Sequence, residues 1–322
     1  MSVTIKTIAE KTGLSLGTVS QALRDSSSTS EAAKMKVRAV AEQLGYVPSD
    51  IGRALQAGKS FLIGYFNADI TATYYAQVMK GLADTASEKG YGILFASPSF
   101  DPDDQIKQIK FLQKKGVEGI VTSGCEPEVW RFLEQLSKKG FPVIVSDNYG
   151  PSEIPSVRVD DLEGGRMAAA YLADLGHRKM LYFNPRKASN PRLEGFQREL
   201  RKRKLPQAVE CLEEKELSLI LKSPERPSAV FAYCDFDAMK VKTAAMDLKL
   251  KVPEDISIVG FNDEVYASFP ELCISTLKPQ KQEIGAKAMN ILIKMIKGEK
   301  VEMEYLLKPE LVARKSSGKA KG

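Results

Sequence analysis

Histidine is almost missing from this chain: His177 is the single one in 322 residues. That excludes a multi-histidine metal centre and leaves at most one Ser-His-Asp arrangement to draw. Cysteine is sparse. Cys125, Cys211, Cys234 and Cys273 lie far apart with no C-x-x-C pair, so they read as reduced thiols of a cytoplasmic protein, not as a disulfide framework or a zinc site. No uncharged apolar run reaches the ~18 residues of a membrane span. Met1 to Lys11 lacks the apolar stretch of a secretory signal. No membrane partner is expected. The basic C-terminal residues carry no leucine heptads, so no coiled-coil helix is expected there. What is present is 43% hydrophobic and 27% charged residues, a balance that excludes general disorder and can fill the cores of two or three domains. The net charge of +6 is compatible with a polyanionic partner and too mild to establish one.

The first 46 residues read as three short helices. Thr4 can cap a helix with Ile5, Ile8 and Ala9 on one face, and Gly13 ends it. Ser15 can cap a second, burying Val19, Ala22 and Leu23. Ser30 can cap a third with Val37, Val40, Ala41 and Leu44 at helical spacing, stopped by Gly45 and Pro48. Past residue 60 the rhythm changes. Apolar runs at Phe61–Phe66, Gly92–Ser97, Gly119–Ser123, Pro142–Asp147, Val157–Asp160, Met180–Phe183, Ala229–Cys234 and Ile256–Phe261 alternate with amphipathic segments. Such runs mean parallel sheet covered on both faces. Their uneven spacing suits two doubly wound lobes better than a (β/α)8 barrel, the alternative.

Helix, a turn at Gly13-Leu14-Ser15, then helix is the layout in which a second helix enters the major groove of DNA. Leu14 would plug the angle, and Leu16, Gly17, Thr18, Ser20 and Gln21 would be exposed. Spacing alone leaves an ordinary helical hairpin equally open. Two enzyme motifs fail on context. Gly13-Leu14-Ser15-Leu16-Gly17 matches G-x-S-x-G, but an amphipathic helix precedes it where a nucleophile elbow needs a strand. Gly58-Lys59-Ser60 resembles the end of a P-loop, but Arg53 stands at the required first glycine and a strand follows. No catalytic residue, cofactor or metal is expected. His177 is read as structural.

The run from Thr4 to Ser20 resembles the opening of the LacI/GalR family of bacterial repressors. The resemblance continues through Leu44-Gly45-Tyr46-Val47-Pro48, Arg53-Ala54-Leu55, Ser156-Val157-Arg158-Val159-Asp160, Leu175-Gly176-His177-Arg178, Arg192-Leu193-Glu194-Gly195-Phe196 and Val252 to Phe261. It implies an α/β fold: an N-terminal helix-turn-helix headpiece and a periplasmic-binding-protein-like core of two doubly wound parallel-sheet lobes. The implied domains are residues 1–46, the headpiece; 47–60, a hinge helix and linker; 61–310, the effector-binding and dimerisation core; and 311–322, a basic tail. The implied function is a transcriptional repressor that binds a pseudo-palindromic double-stranded operator as a homodimer, under control of a small-molecule effector such as a sugar. Thr4, Ser15, Leu16, Gly17, Thr18, Ser20, Gln21 and Arg53 are expected at DNA, with Leu55 as a minor-groove wedge. Gly52, where the family favours alanine, would weaken the hinge helix.

Doubly wound folds bind ligands at the carboxyl ends of their strands. Candidates there are Asp69, Ser97, Ser123, Asp147, Asp235, Asn262 and Asp263, with Tyr74 and Tyr75 able to stack on a ligand and Arg192 in a following loop. By resemblance Asp147, Arg192 and Asn262 match effector-contacting positions. Two departures are Cys234, where asparagine is usual, and a short segment from Leu205 to Leu221 without a glycine-rich turn. A sugar-binding transport protein would need an export signal and no headpiece. A sugar-modifying enzyme would need a nucleotide-binding glycine motif and a catalytic constellation.

Overall fold

The computed structural model describes residues 3–23, 27–46, 58–67, 72–147, 150–187 and 191–321. The chain divides into two compact units, Met1–Ser60 and Phe61–Gly322.

In the first unit, α1 (Ile5–Thr12) opens on Thr4, whose hydroxyl accepts from the Thr7 amide while the Thr7 hydroxyl accepts from the Thr4 amide. This reciprocal cap satisfies two amides that the first turn would leave unpaired. Gly13, at φ 71°, ends the helix in the left-handed conformation a glycine takes without strain. Ser15 then caps α2 (Leu16–Leu23) by accepting from the Thr18 amide at 3.1 Å. Ser30 caps α3 (Glu31–Gln43) through the Ala33 amide. Ile8, Val19, Ala22, Val37 and Ala41 form one small core, with Leu14 packed at its edge. The expected three-helix headpiece is therefore present, with Leu14 where the turn needs an apolar plug.

The second unit holds two six-stranded sheets. The strands are β1 (Leu62–Phe66), β2 (Gly92–Ala96), β3 (Ile120–Thr122), β4 (Val143–Ser146), β5 (Ser156–Val159), β6 (Met180–Phe183), β7 (Val209–Cys211), β8 (Ala229–Ala232), β9 (Ser257–Phe261), β10 (Ser275–Lys278), β11 (Glu304–Leu307) and β12 (Glu310–Val312). The helices are α4 (Thr73–Glu88), α5 (Pro102–Lys114), α6 (Pro127–Lys138), α7 (Asp161–Asp174), α8 (Pro191–Lys202), α9 (Glu214–Lys222), α10 (Asp235–Asp247) and α11 (Lys281–Ile296). The sheet orders are β11-β5-β4-β3-β1-β2 and β12-β10-β9-β8-β6-β7. All pairings are parallel except β12 against β10. Two open sheets replace the barrel alternative.

The chain crosses between lobes after β5, after β10 and between β11 and β12, so α11 packs on β3, β4 and β5 although it follows the second sheet. One apolar cluster, including Ile63, Tyr65, Phe196, Phe231 and Phe261, runs through both lobes. Two more cover the outer faces. Residues 311–321, expected as part of a basic tail, are not separate from the core. Leu311 and Val312 pair with β10, Ser316 is buried and donates to the Ile258 carbonyl at 2.6 Å, and the Ala320 amide donates to the Leu175 carbonyl. The basic residues signalled solvent, but the serines between them supply the hydrogen bonds that hold the strand in place. His177 is part of the same tie: buried, its ring contacts the Ser228 and Ser257 hydroxyls and the Gly318 carbonyl. It lies in the turn before β6, not in a strand. No helix among the described residues is long and apolar enough to cross a membrane, and none of their side chains cluster as metal ligands.

Candidate effector cleft and nucleic-acid-reading helix

Between the carboxyl ends of the two sheets lies a cleft of about 410 Å³. Helix packing places its charged residues. Gly195 of α8 meets α7 so closely that an added Cβ would stand 1.9 Å from the Leu162 carbonyl oxygen; Gly165 of α7 stands equally close to the Arg192 carbonyl oxygen. This approach sets Arg192, in the first turn of α8, against Asp161, the first residue of α7. Arg192 Nε donates to Asp161 Oδ1 at 2.7 Å and Nη1 to the Tyr233 carbonyl at 2.5 Å. Its guanidinium lies 3.7 Å from the Phe261 ring centroid and 4.6 Å from that of Tyr233. A planar, weakly hydrated cation is the charge best suited to such an apolar sandwich.

Asp147 faces the cleft from the first lobe. It sits just past β4 at φ 53°, a conformation Asp tolerates better than most residues. Its carboxylate accepts a long bond, 3.4 Å, from the Val159 amide, lies beside the Tyr74 hydroxyl, and has no ion-pair partner among the described residues. Burial pushes its carboxyl up to about 6, with the neighbouring Asp161 charge adding to the rise. The Tyr74 hydroxyl is buried against this carboxylate, and the Tyr74 and Tyr75 rings meet edge to face at 5.4 Å. Behind them the Tyr65, Ser123 and Ser146 hydroxyls form a buried chain at 2.9 and 2.7 Å.

The other cleft cations and carboxylates are matched within the chain. Arg186 pairs with the buried Asp237 at 3.1 Å, Arg158 with Glu304, and Glu264 with Lys281 at 3.1 Å. Among the described residues, Asp147 is the cleft-lining carboxylate without an ion-pair partner. The site can therefore receive hydroxyl or N–H donors at Asp147 and apolar ligand faces at its aromatic rings.

Comparison with known families fits both units. Residues 4–49 match the model of bacterial regulatory proteins of the lacI family, and residues 169–317 match the periplasmic binding protein-like domain. The chain carries a LacI-family helix-turn-helix domain and a periplasmic-binding-protein-like domain. It is 28% identical to the HTH-type transcriptional repressor PurR of Pectobacterium atrosepticum, over 97% of this chain and 96% of that protein. It is 27% identical to the repressor CytR of Escherichia coli, over 98% and 96%. Among solved structures, the lac repressor dimer bound to operator and the anti-inducer ONPF has TM-score 0.83 at 22% identity, covering 99% of this chain and all of that one. The transcriptional regulator CelR with cellobiose has TM-score 0.69 at 20% identity, over 98% and 99%. These two likenesses establish the fold.

Of the effector residues expected from sequence, Tyr74, Tyr75, Asp147, Arg192 and Asn262 line this one cleft. Asp235 does not. Its carboxylate is fully buried, accepting from the Thr276 hydroxyl at 2.6 Å and the Glu264 amide at 2.7 Å. Gly260, whose Cβ would stand 2.3 Å from Asp235 Oδ1, leaves room for it. Burial pushes that carboxyl up to about 7, against these two hydrogen bonds. Asp235 thus holds the loop after β9, while its neighbours Cys234 and Phe236 line the cleft. The Cys234 thiol donates to Asp237, and burial pushes it up to about 11, so it stays a neutral thiol. Ser123 belongs to the hydroxyl chain, Asp263 pairs with Arg314 at 2.6 Å, Ser97 is outside the lining, and Asp69 is outside the described residues. Sequence reading missed Arg186, Tyr233 and Tyr266. Tyr233 directly follows β8 and Arg186 comes three residues after β6, so the strand-end rule could have found them.

On the headpiece, Thr4, Ser15, Leu16, Gly17 and Gln21 are exposed, with Thr18 and Ser20 half-buried. Leu16 is 53% exposed, a large apolar side chain at the start of α2. Gly17 and Gln21 are four apart, hence on one helix face. Arg53 and Leu55, with most of residues 47–60, lie outside the described residues.

Proposed function

We propose that this chain is a repressor that binds a pseudo-palindromic operator as a homodimer in the cytoplasm, and that a small neutral effector bearing hydroxyl or N–H donors, a sugar or related metabolite, controls its operator affinity. It is not an enzyme. The carrying observation is one chain holding both a helix-turn-helix with an exposed reading face and a cleft whose unmatched group is a carboxylate. Effector binding between the lobes alters their closure, and the coupling to DNA is reciprocal. Ser15, Leu16, Gly17, Thr18, Ser20 and Gln21 take the groove-facing role, Thr4 and Arg53 contact the backbone, and Leu55 wedges the minor groove.

Gln21 makes the proposal testable at one base. Its amide offers a donor and an acceptor, the match for adenine N6 and N7, where arginine would bridge guanine O6 and N7. Selection from random duplex DNA should return a two-fold symmetric site, with affinity falling steeply in salt, log–log slope about −4 or steeper. Gln21→Arg should move one half-site position toward guanine by about 1–3 kcal/mol. Salt-insensitive binding, or no preferred site, overturns the regulator reading. Identical selections for both proteins remove Gln21 from base reading.

A further inference from the structure

Two cavities share one wall. The effector cleft and a second crevice of about 490 Å³ at the start of α11 both touch Thr73 and Glu264. Glu264 follows β9 in the second lobe; Thr73 opens α4 in the first. The Glu264 side chain is 8% exposed and fully engaged. One carboxylate oxygen accepts from the Thr73 hydroxyl and the other lies 3.1 Å from Lys281 Nζ. Its backbone amide is held by Asp235 at 2.7 Å. Lys281 begins α11, is 10% exposed, and places Nζ 5.2 Å from the Tyr74 ring centroid. A carboxylate of the second lobe is thus gripped by two helices of the first, beside the cleft.

We propose that Glu264 is a specificity-determining residue: with Thr73 and Lys281 it closes one end of the effector cleft and limits how long an effector can be. The proposal rests on the effector reading above. A ligand too long for the cleft must part the lobes here, which strands a desolvated carboxylate and a desolvated ammonium together. Breaking such a pair is costly even where forming it gains little. The penalty falls on long ligands and spares short ones, which is discrimination by rejection. With the wall removed, the cleft runs on into the second crevice.

The test uses the full chain without effector, then with sugars of graded length. In hydrogen–deuterium exchange, Glu264→Ala should raise exchange at the first turns of α4 and α11 at least tenfold, leaving α9 and α10 unchanged. Thr73→Val removes a single hydroxyl and should do the same to a smaller degree, which keeps the comparison available if the alanine variant does not fold. In thermal-shift titrations with D-ribose, D-glucose, maltose and maltotriose, Glu264→Ala should gain about tenfold in affinity for the longest responding sugar relative to the shortest. Unchanged exchange in both variants overturns the wall. Faster exchange with an unchanged length ranking overturns its role in specificity. A panel to which neither protein responds overturns the sugar reading instead, and the exchange result alone then upholds or overturns the wall.

Discussion

The two lobes share a plan and differ in how they treat charge. Each sheet has the strand that comes first in the chain second from one edge and a late strand, β11 or β12, at the other. In each, the helix after the first strand packs on the helix that enters from the other lobe, and glycine meets glycine at the contact. Gly81 and Gly285 join α4 to α11, Gly165 and Gly195 join α7 to α8, and a Cβ on any of the four would stand 1.9 Å from a carbonyl oxygen. At the cleft the symmetry ends. The second lobe neutralises its own buried cation: Arg192 has Asp161, a carbonyl and two aromatic faces. The first lobe places neutral hydroxyls behind a carboxylate that has no counter-ion among the described residues. The scaffold is repeated and the chemistry is not. Each lobe lines the cleft with both polar groups and aromatic rings, but the carboxylate without an ion-pair partner among the described residues is in the first.

The sharpest way to break this contrast is at Arg192. If its charge is consumed by Asp161, removing it strands a buried carboxylate. Arg192→Ala should then cost about 3–5 kcal/mol in urea unfolding, beyond any loss of effector response. Arg192→Met combined with Asp161→Asn should recover most of that. A stable Arg192→Ala protein would mean that the Arg192 charge is not consumed by Asp161. The shared plan is tested next. Gly81→Ala and Gly165→Ala should each cost about 3 kcal/mol, the upper end of overpacking effects. The second should also displace Arg192, because the atom it strikes is the Arg192 carbonyl oxygen. Unequal costs would show that the two helix crossings are not equivalent.

Much of this architecture was legible beforehand because strands buried on both faces are continuous apolar runs. All eight such runs contain strands. The four that escaped are β7, β10, β11 and β12. β7 and β11 lie at sheet edges and expose successive or alternate residues, and each carries a glutamate, Glu210 or Glu304, that shortens its apolar run. β10 opens on Ser275 and Thr276, whose burial depends on hydrogen bonds to Ser317 and Asp235 from distant segments. The headpiece was legible because caps and glycine stops are local chemistry. The cleft was only partly so. Position at a strand end pointed to Asp147 and Asn262, but it could not separate Asp147, which faces the cleft, from Asp235, which turns inward because Gly260 makes room. Which way a carboxylate turns is decided by a residue 25 positions away in the chain, and periodicity does not carry that.

That pair of aspartates gives the finest test. Both carboxyls are pushed up by burial, Asp147 to about 6 and Asp235 to about 7. A carboxyl raised on folding holds its proton more tightly in the native state. Its stabilisation is complete below the unfolded value and is lost as pH rises through the folded one. At pH 8 both groups therefore weigh against the fold through their buried charge, and an uncharged amide should relieve it. At Asp147 little opposes that relief, because the Tyr74 hydroxyl can donate to an amide oxygen as it does to the carboxylate. Asparagine tolerates φ 53° and its carbonyl oxygen can still accept from Val159. Asp147→Asn should stabilise the effector-free protein by about 1 kcal/mol at pH 8, a part of the pKa-derived energy because solvent still reaches the site, and by almost nothing at pH 4.5, where aspartic acid is itself mostly uncharged. At Asp235 the relief is opposed. Its two oxygens each accept a buried hydrogen bond, and an amide can keep one acceptor but must turn a donor toward the Glu264 amide or the Thr276 hydroxyl. An unsatisfied buried donor costs about 1–3 kcal/mol, so Asp235→Asn should be neutral or destabilising at pH 8. Urea titrations of both variants at the two pH values decide it. Opposite signs at pH 8 mean that one aspartate awaits a ligand while the other is already occupied by the fold. The same sign in both would show that burial alone governs them, and that Asp147 has a partner of its own.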